Sequence, residues 1–163
     1  MSFTHIITGA KGVGKTTFIK SLIKKVKSNH CLLIYDINNE YADLYPYPFE
    51  DFEDFTFKAT QVKNAVIIFE EATIFLNNKG SNNDLKKILV RSRHTNNTVF
   101  LIFHSVRSIP RYIYELANYI TIFRTNDSPD MTARELKDHR LEDVMHNVNN
   151  SENIHESFTL KIY

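Results

Sequence analysis

The sequence predicts an α/β fold with a mainly parallel sheet, and two observations carry that prediction. Five apolar runs of strand length alternate with segments of helical period or turn composition, as in a parallel sheet that has helices on its faces. A phosphate-loop motif joins the first run to the first helical segment, and strand, loop, helix is the order that this motif requires. The five runs cover residues 3–8, 31–36, 65–70, 98–103 and 118–123.

The phosphate-loop motif is a complete match to the pattern G-x-x-x-x-G-K-[ST]. It reads Gly9-Ala10-Lys11-Gly12-Val13-Gly14-Lys15-Thr16, with Thr17 directly after it. Its glycines let backbone N–H groups point at the β- and γ-phosphates, and the lysine adds a point charge there. Thr16 would then bind Mg²⁺. The motif predicts a nucleoside triphosphate site over residues 9–17, and the structural alternative is a glycine-rich turn between two core elements.

Two adjacent acids follow the third apolar run, in the arrangement of a Walker B motif. We predict that Glu70 holds Mg²⁺ and that Glu71 polarises the water that attacks the γ-phosphate. The usual first acid is aspartate, and Glu70 is one methylene longer, which leaves the division of labour between the two glutamates open. The alternative is an acidic helix N-terminus that the helix dipole favours.

Polar and cationic residues lie around the fourth strand. The strand ends at His104-Ser105, and either side chain can donate a hydrogen bond to a γ-phosphate. Arginine side chains at positions 91, 93, 107 and 111 flank the same strand. We predict that Arg91 or Arg93 reaches the γ-phosphate of a neighbouring subunit, where it would stabilise the charge of the transition state. The alternative is that these arginines are ordinary surface residues.

The charge of the chain is unevenly distributed. Residues 28–57 contain seven acids and no Lys or Arg, so that the rest of the chain carries +8 against a total of +1. A local basic surface could therefore hold an anionic polymer, although an acidic loop and a solvated basic helix face explain the same pattern. The chain has no signal-like N-terminus and no apolar window near 18 residues, so we expect a soluble, cytosolic protein without a membrane span.

The connecting segments give further expectations. Tyr41 to Phe57 is predicted as an aromatic-anchored surface excursion without helix, because two prolines lie close together in it. Residues 77–83 are predicted as a polar loop, with Asn83 or Asp84 capping a helix that ends near His94. The same reasoning predicts helices over 17–27 and 133–146, a helix that Ser108 opens and that carries Ile113 and Leu116, a break over 147–151, and an edge strand over 158–163. The one cysteine, Cys31, is expected in the core.

Several of these motifs together resemble the HerA/FtsK superfamily of ring-forming translocases. Asp36-Ile37-Asn38-Asn39-Glu40-Tyr41 resembles its Asp-x-x-x-Glu-Tyr step. Other segments look like its smaller viral members, the genome-packaging ATPases and the zonula-occludens-toxin-like ATPases of filamentous phages. These segments are Glu70-Glu71-Ala72, Arg91-Ser92-Arg93-His94, and His104-Ser105 through Pro110. The resemblance covers residues 3–124, with two departures: Glu70 replaces the usual aspartate, and His104 or Ser105 replaces the usual glutamine after the fourth strand.

The resemblance implies a P-loop NTPase domain of the RecA/ASCE type with sheet order 5-1-4-3-2. It also implies a hexameric or pentameric ring that hydrolyses ATP with Mg²⁺ and packages viral double-stranded DNA into a capsid. Capsid or portal vertex proteins would be partners, in the host cytoplasm or the virion. We expect one domain over residues 1–163, with its core over 3–124 and a C-terminal helix and edge strand over 130–163.

Three other functions remain open at the level of sequence. The first is a phage assembly or export ATPase that acts on protein. The second is a small nucleotide kinase, although the Glu70-Glu71 pair favours an activated water over an acceptor hydroxyl. The third is a non-catalytic nucleotide switch.

Overall fold

Six strands form one sheet in the computed structural model, which describes residues 2–26, 30–45, 48–76 and 79–162. Their order is β2-β3-β4-β1-β5-β6, and β6 is antiparallel to β5 while the other pairs are parallel. The strands are β1 Thr4–Thr8, β2 Cys31–Tyr35, β3 Ala65–Phe69, β4 Thr98–Phe103, β5 Tyr119–Phe123 and β6 Ser157–Lys161. All five predicted parallel strands are confirmed. The predicted order 5-1-4-3-2 is extended by β6, which lies beside β5 as the edge strand.

Seven helices lie in the described ranges, on both faces of the sheet. They are α1 Lys15–Ile23, α2 Phe52–Gln61, α3 Ala72–Leu76, α4 Lys79–Thr95, α5 Arg111–Leu116, α6 Pro129–Leu136 and α7 Arg140–Asn150. Helix α1 covers one face, and buried side chains of the other six belong to the cluster on the opposite face. Successive strand residues point to opposite faces, so Ile6 packs on the larger cluster and Ile7 on the cluster around α1. No helix in the described part of the chain is long and apolar enough to cross a bilayer.

The segment between β2 and β3 contains a helix that the sequence analysis excluded. The expected packing of its aromatics is confirmed for Tyr41 and Phe55, which are fully buried, and the Phe55 ring lies 5.0 Å from that of Phe69. It was wrong for Phe57, which is 67% exposed. The absence of helix was wrong because α2 begins after the prolines. Asp51 caps it by accepting a hydrogen bond from the Asp54 N–H at 2.9 Å. Residues 46 and 47 of the proline-rich stretch lie outside the described residues.

Helix α4 begins earlier than the sequence indicates. Residues 79–83 were predicted as a loop with a cap at Asn83 or Asp84, and they are instead the first turn of α4. The additional turn is attached to the fold, because the Tyr112 hydroxyl donates to Asn82 Oδ1. Residues 77 and 78 lie outside the described part of the chain. The far end agrees with the prediction, since α4 ends at Thr95.

The C-terminal region also differs in its boundaries. The predicted helix over 133–146 is two helices, separated where Lys137 adopts a left-handed conformation with φ of 57°. The predicted break over 147–151 was wrong because α7 continues to Asn150 and buries Val148. Cys31 is exposed rather than in the core, because it is the first residue of β2 at the edge of the sheet.

Candidate active site

The phosphate loop connects the end of β1 to the start of α1. Gly9, Gly12 and Gly14 have φ of 149°, 82° and 105°, values that residues other than glycine rarely adopt. A Cβ at Gly9 would lie 2.7 Å from Cβ of Phe123 on β5, so the loop also packs too closely there for a side chain. A Cβ at Gly12 would meet nothing within 4 Å. The loop is therefore held against β5 at its start and opens onto a cleft at its middle.

Lys15 is the buried cation of this loop. Its side chain is 6% exposed, and Nζ donates hydrogen bonds of 2.7 Å to the carbonyl oxygens of Gly9 and Ala10. Burial lowers the pKa of Lys15, and the nearby carboxylates of Glu70, Glu71 and Glu40 oppose that shift. An ammonium group has three donors, so one N–H remains for an anion placed over the loop.

Glu70 lies directly after β3 and is buried. It is 4% exposed, and its carboxylate accepts a hydrogen bond from the Tyr41 hydroxyl. Burial raises the pKa of Glu70 to about 7, against the lowering effect of the Tyr41 hydrogen bond. Tyr41 is itself fully buried and is fixed by its own N–H, which donates to Asp36 Oδ2 at 3.0 Å. The Asp36 to Tyr41 segment thus positions Glu70, the first acid after β3, and affects the pKa of its carboxyl.

Glu71 is held in a strained backbone conformation beside His104. Its φ of 57° lies in the left-handed region, which costs a non-glycine residue about 1 kcal/mol. His104 Nε2, at the end of β4, contacts Glu71 Oε1. Ser105 has a different partner, because its hydroxyl donates to Asp127 Oδ1 at 2.8 Å. Of the two residues predicted at this strand end, His104 is therefore the one paired with the second acid.

The cleft between these elements has a volume of about 380 Å³. Within its lining the Thr16 hydroxyl donates to Glu40 Oε2 at 2.6 Å. The residues that line it are Lys11, Gly12, Gly14, Lys15, Thr16, Thr17, Asn38, Glu40, Glu70, Glu71, His104 and His155. The structure thus brings together the loop, both predicted acids and His104, because the carboxyl ends of β1, β3 and β4 meet at one edge of the sheet.

The donor chemistry of the cleft fits Mg²⁺. Thr16 supplies a hydroxyl and Glu70 a carboxylate, and Mg²⁺ prefers such oxygen ligands. Within the described residues no group of three or more His, Cys, Asp or Glu side chains could hold a metal ion. Mg²⁺ usually binds through one or two carboxylates together with substrate phosphates rather than in a cage made by the protein.

Arg91 and Arg93 lie away from this cleft. The Asn64 N–H donates to the Thr95 carbonyl at 2.9 Å, which places the end of α4 at the amino-terminal edge of the sheet. The strands separate that edge from the phosphate loop by about 17 Å. Both arginines are exposed. By contrast, Arg107 pairs with Glu135 and Arg111 with Glu115.

The sequence analysis missed two residues of this region. His155, between α7 and β6, lies against the phosphate loop, with Nδ1 3.2 Å from the Val13 carbonyl oxygen. Asp127 fixes the turn after β4 by accepting from Ser105 and from the Val106 N–H. Neither residue belongs to a local motif. His155 is 142 positions from Val13 in sequence, so only the pairing of β6 with β5 brings the two together.

Comparison with solved structures places this architecture among known proteins. The genome-packaging NTPase B204 from Sulfolobus turreted icosahedral virus 2, in complex with ATP-γS, superposes with a TM-score of 0.77. The two are 18% identical over 99% of this chain and 92% of that chain. The chain has the fold of a viral genome-packaging ATPase. B204 from Sulfolobus turreted icosahedral virus, described as a DNA-packaging ATPase, also has a TM-score of 0.77, at 17% identity over 98% and 92% of the two chains.

The N-terminal domain of zonular occludens toxin from Neisseria meningitidis is a more distant neighbour. Its TM-score is 0.51, at 14% identity over 77% of this chain and 78% of that chain. No protein-family model and no curated protein sequence matches the chain. The resemblance drawn from the motifs is thus confirmed at the level of the fold.

Proposed function

We propose that this chain is an Mg²⁺-dependent ATPase that moves double-stranded DNA during the packaging of a viral genome. One observation carries the hydrolase part: Lys15, Thr16, Glu70, Glu71 and His104 line a single cleft at the carboxyl edge of the sheet. Residues 1–163 act as one ATPase domain, as a subunit of a hexameric or pentameric ring. The partners are DNA and capsid or portal vertex proteins, in the host cytoplasm or the virion.

Each residue of the cleft has a distinct task in this proposal. Lys15 and the N–H groups of residues 9–17 bind the β- and γ-phosphates, and Thr16 and Glu70 hold Mg²⁺. When bound there, Mg²⁺ would supply positive charge beside the phosphates. Glu71 accepts the proton of the attacking water. His104 contacts Glu71 and can respond to a γ-phosphate beside it, a role for which Ser105 is less suited because Asp127 holds its hydroxyl.

DNA as the polymer is supported by likeness and by charge. The solved packaging NTPase matches the fold along nearly the whole of both chains. Helix α4 also presents cationic side chains besides the two arginines, since Lys86 and Lys87 are exposed on it. Exposed cations of this kind bind phosphate backbones without reading sequence, which suits a protein that must move along any DNA.

Phosphate release measured with and without double-stranded DNA tests this proposal. We expect hydrolysis that needs Mg²⁺ and is accelerated by DNA, together with a native mass of five or six subunits in the presence of nucleotide. Stimulation by DNA should weaken as salt is raised, because the contacts are to phosphates. Hydrolysis that DNA leaves unchanged at low salt would contradict the DNA part and favour a protein as the polymer. Transfer of phosphate to a nucleoside monophosphate would favour a kinase.

The hydrogen bond from Tyr41 to Glu70 predicts a shift in pH dependence. Glu70 must be ionised to bind a metal ion, and the Tyr41 hydroxyl lowers the pKa of this carboxyl, which burial raises to about 7. Tyr41→Phe removes that hydrogen bond, so the pKa of Glu70 rises further and the acid limb of kcat/KM moves to higher pH. A shift of one unit reduces kcat/KM about tenfold near pH 6 and little at pH 9. Tyr45→Phe is the matched control. Equal losses at all pH values would contradict this role.

A second prediction concerns an arginine acting between subunits. Arg91 and Arg93 make no ion pair with any residue in the described ranges. In their own subunit they lie at the edge of the sheet opposite the cleft, so in the proposed ring they would act on a neighbour's γ-phosphate. Either Arg91→Ala or Arg93→Ala is expected to lower turnover by about 10³–10⁵-fold.

Mixing of variants separates that role from a structural one. The inactive arginine variant should regain partial turnover when it is combined with inactive Glu71→Gln subunits, since some interfaces then pair an intact base with an intact arginine. Arg134→Ala, which removes an exposed arginine paired within α6, is the control. Two outcomes would contradict an arginine of α4 acting between subunits. These are no recovery of turnover in rings shown to be mixed, and full activity of both single arginine variants. Either would remove this role or transfer it to Arg107.

A further inference from the structure

An apolar cavity lies beside the end of α1, away from the phosphate loop. Its volume is about 370 Å³. Ile23 and Val26 line it from the side of α1, and Val66, Ile68 and Phe100 line it from β3 and β4. Apolar cavities of about 150 Å³ already bind a benzene ring, so this one admits the side chain of a phenylalanine. We call it the α1 cavity, and the proposed hydrolysis uses none of these five residues.

The α1 cavity exists because one helix cannot cover this face of the sheet. A helix is about 10–12 Å across, whereas six strands at their usual spacing span about 24 Å. Within the described ranges, α1 is the one helix whose buried side chains belong to this face. Val26 is only half-buried, and Lys25 and His30 are exposed where they line the cavity. The cavity therefore opens to the surface.

Helix α2 presents an exposed aromatic side chain on the opposite face of the chain. Phe57 is 67% exposed, more than any other large hydrophobic side chain among the described residues. Glu53 and Asp54 lie one turn before it, are exposed, and form no ion pair with any residue that the structure describes. Helix α2 packs on the larger cluster through Phe55, whereas α1 packs on the smaller one. Phe57 and the α1 cavity therefore lie on opposite sides of the sheet.

The charges around the two surfaces are opposite in sign. Residues 50–58 carry four acids and one lysine, whereas residues 20–30 carry four lysines, one histidine and no acid. Lys24 and Lys25 are exposed, and Lys25 lines the α1 cavity. Neither lysine has an ion-pair partner in the described part of the chain. An apolar centre with complementary charges around it is the arrangement of a specific protein interface.

We propose that Phe57 of one subunit enters the α1 cavity of the next, with the acids before Phe57 facing the lysines at the end of α1. This rests on the proposed function, since the partner is a second copy of this chain in the ring. A contact between two different surfaces of one chain is heterologous, and it repeats from copy to copy and forms a ring where the rotation closes. The cavity lies at the end of α1 away from Lys15, so the contact leaves the nucleotide cleft free.

Sedimentation of the full chain with Mg²⁺ and ATP-γS tests this contact. Phe57→Ser should raise the dissociation constant between subunits by about 30-fold or more, the effect of losing a central aromatic anchor. Val26→Trp fills the α1 cavity from its half-buried rim and should weaken assembly to a similar extent. Both variants should still bind nucleotide as monomers, because neither residue lines the nucleotide cleft. Phe158→Ser, which removes an aromatic side chain that is 47% exposed on β6, is the matched control.

Reversed charges test the pairing of the two surfaces. One variant carries Glu53→Lys and Asp54→Lys, and the other carries Lys24→Glu and Lys25→Glu. Each alone places like charges at every contact and should assemble about tenfold more weakly or worse. A mixture of the two should assemble again, since alternating subunits restore opposite charges at each contact. The recovery should fade at high salt, because these charges are exposed.

The outcomes distinguish this contact from the proposed function. A ring that stays intact in both Phe57→Ser and Val26→Trp would overturn the contact alone and leave the α1 cavity to a different protein. A mixture of the two charge variants that stays as dissociated as each of them alone would overturn the pairing of α2 with α1. An unaltered chain that stays monomeric at high concentration with nucleotide and DNA would contradict the ring, and with it the proposed function.

Discussion

Replacing Lys15 with alanine is expected to abolish turnover and to weaken ATP binding by about 100-fold, the value of one lost charge-assisted hydrogen bond. Lys15 is the buried cation of the cleft, with its ammonium group fixed on the carbonyls of Gly9 and Ala10. No other lysine lies at the start of α1 behind the loop glycines. Its loss also leaves the carboxylates of Glu70 and Glu71 without their compensating charge, which disfavours a triphosphate further.

Titration with a fluorescent nucleotide measures the loss of ATP binding in Lys15→Ala, and phosphate release measures the loss of turnover. Lys20→Ala is the matched control, because Lys20 is on the same helix but is paired with Asp43 at 2.7 Å. A cooperative unfolding transition should show that the Lys15 variant still folds, although the loss of its charge beside Glu70 and Glu71 is expected to lower the unfolding temperature. Unchanged ATP affinity and hydrolysis in Lys15→Ala would remove the assignment of residues 9–17 as a phosphate site.

Glu71→Gln is expected to retain ATP binding and to lose hydrolysis by about 10²–10⁴-fold, the usual contribution of a general base. The substitution keeps the shape of the side chain and its place beside His104 while it removes the group that accepts the proton. The strained backbone at Glu71 supports this assignment, because such strain persists where the surroundings hold a residue in a functional position.

The adjacent acid supplies the comparison for this experiment. Glu70→Gln should weaken Mg²⁺-dependent binding instead, because Glu70 is the buried partner of Tyr41 and would hold the ion. Glu115→Gln, at an exposed position of α5, controls for the loss of a carboxylate elsewhere. Single-turnover hydrolysis and equilibrium binding should be measured on all three variants. An active Glu71→Gln beside an inactive Glu70→Gln would reverse the two roles.

Much of the sheet could be predicted because its strands are buried on both faces. Such strands read as continuous apolar runs, as in Val66-Ile67-Ile68-Phe69. The phosphate loop was readable for a different reason: a tight turn with positive φ at three positions needs glycine, and glycine is visible in a sequence. Glu70 and Glu71 could then be placed in the site because the end of a parallel strand fixes where the next residues lie.

Features that depend on tertiary contacts could not be read in the same way. Helix α2 depends on the cap at Asp51 and on the burial of Phe55 against Phe69. Judged from the local sequence alone, two nearby prolines argue against a helix more strongly than these two features argue for one. Cys31 continues an apolar run and is exposed because it is the first residue of β2, an edge strand whose last three residues are buried. His155 is the clearest case, since its place beside Gly14 follows from strand pairing across most of the chain.

Displacement of a third DNA strand tests the central claim most directly, because it reports movement along a duplex rather than hydrolysis alone. The substrate is a DNA duplex that carries a fluorescent third strand at one end, with the protein added at low salt together with Mg²⁺ and ATP. The proposal predicts release of the third strand that requires ATP and fails with Glu71→Gln. Hydrolysis of ATP on this DNA with the third strand still bound would contradict a motor that moves double-stranded DNA.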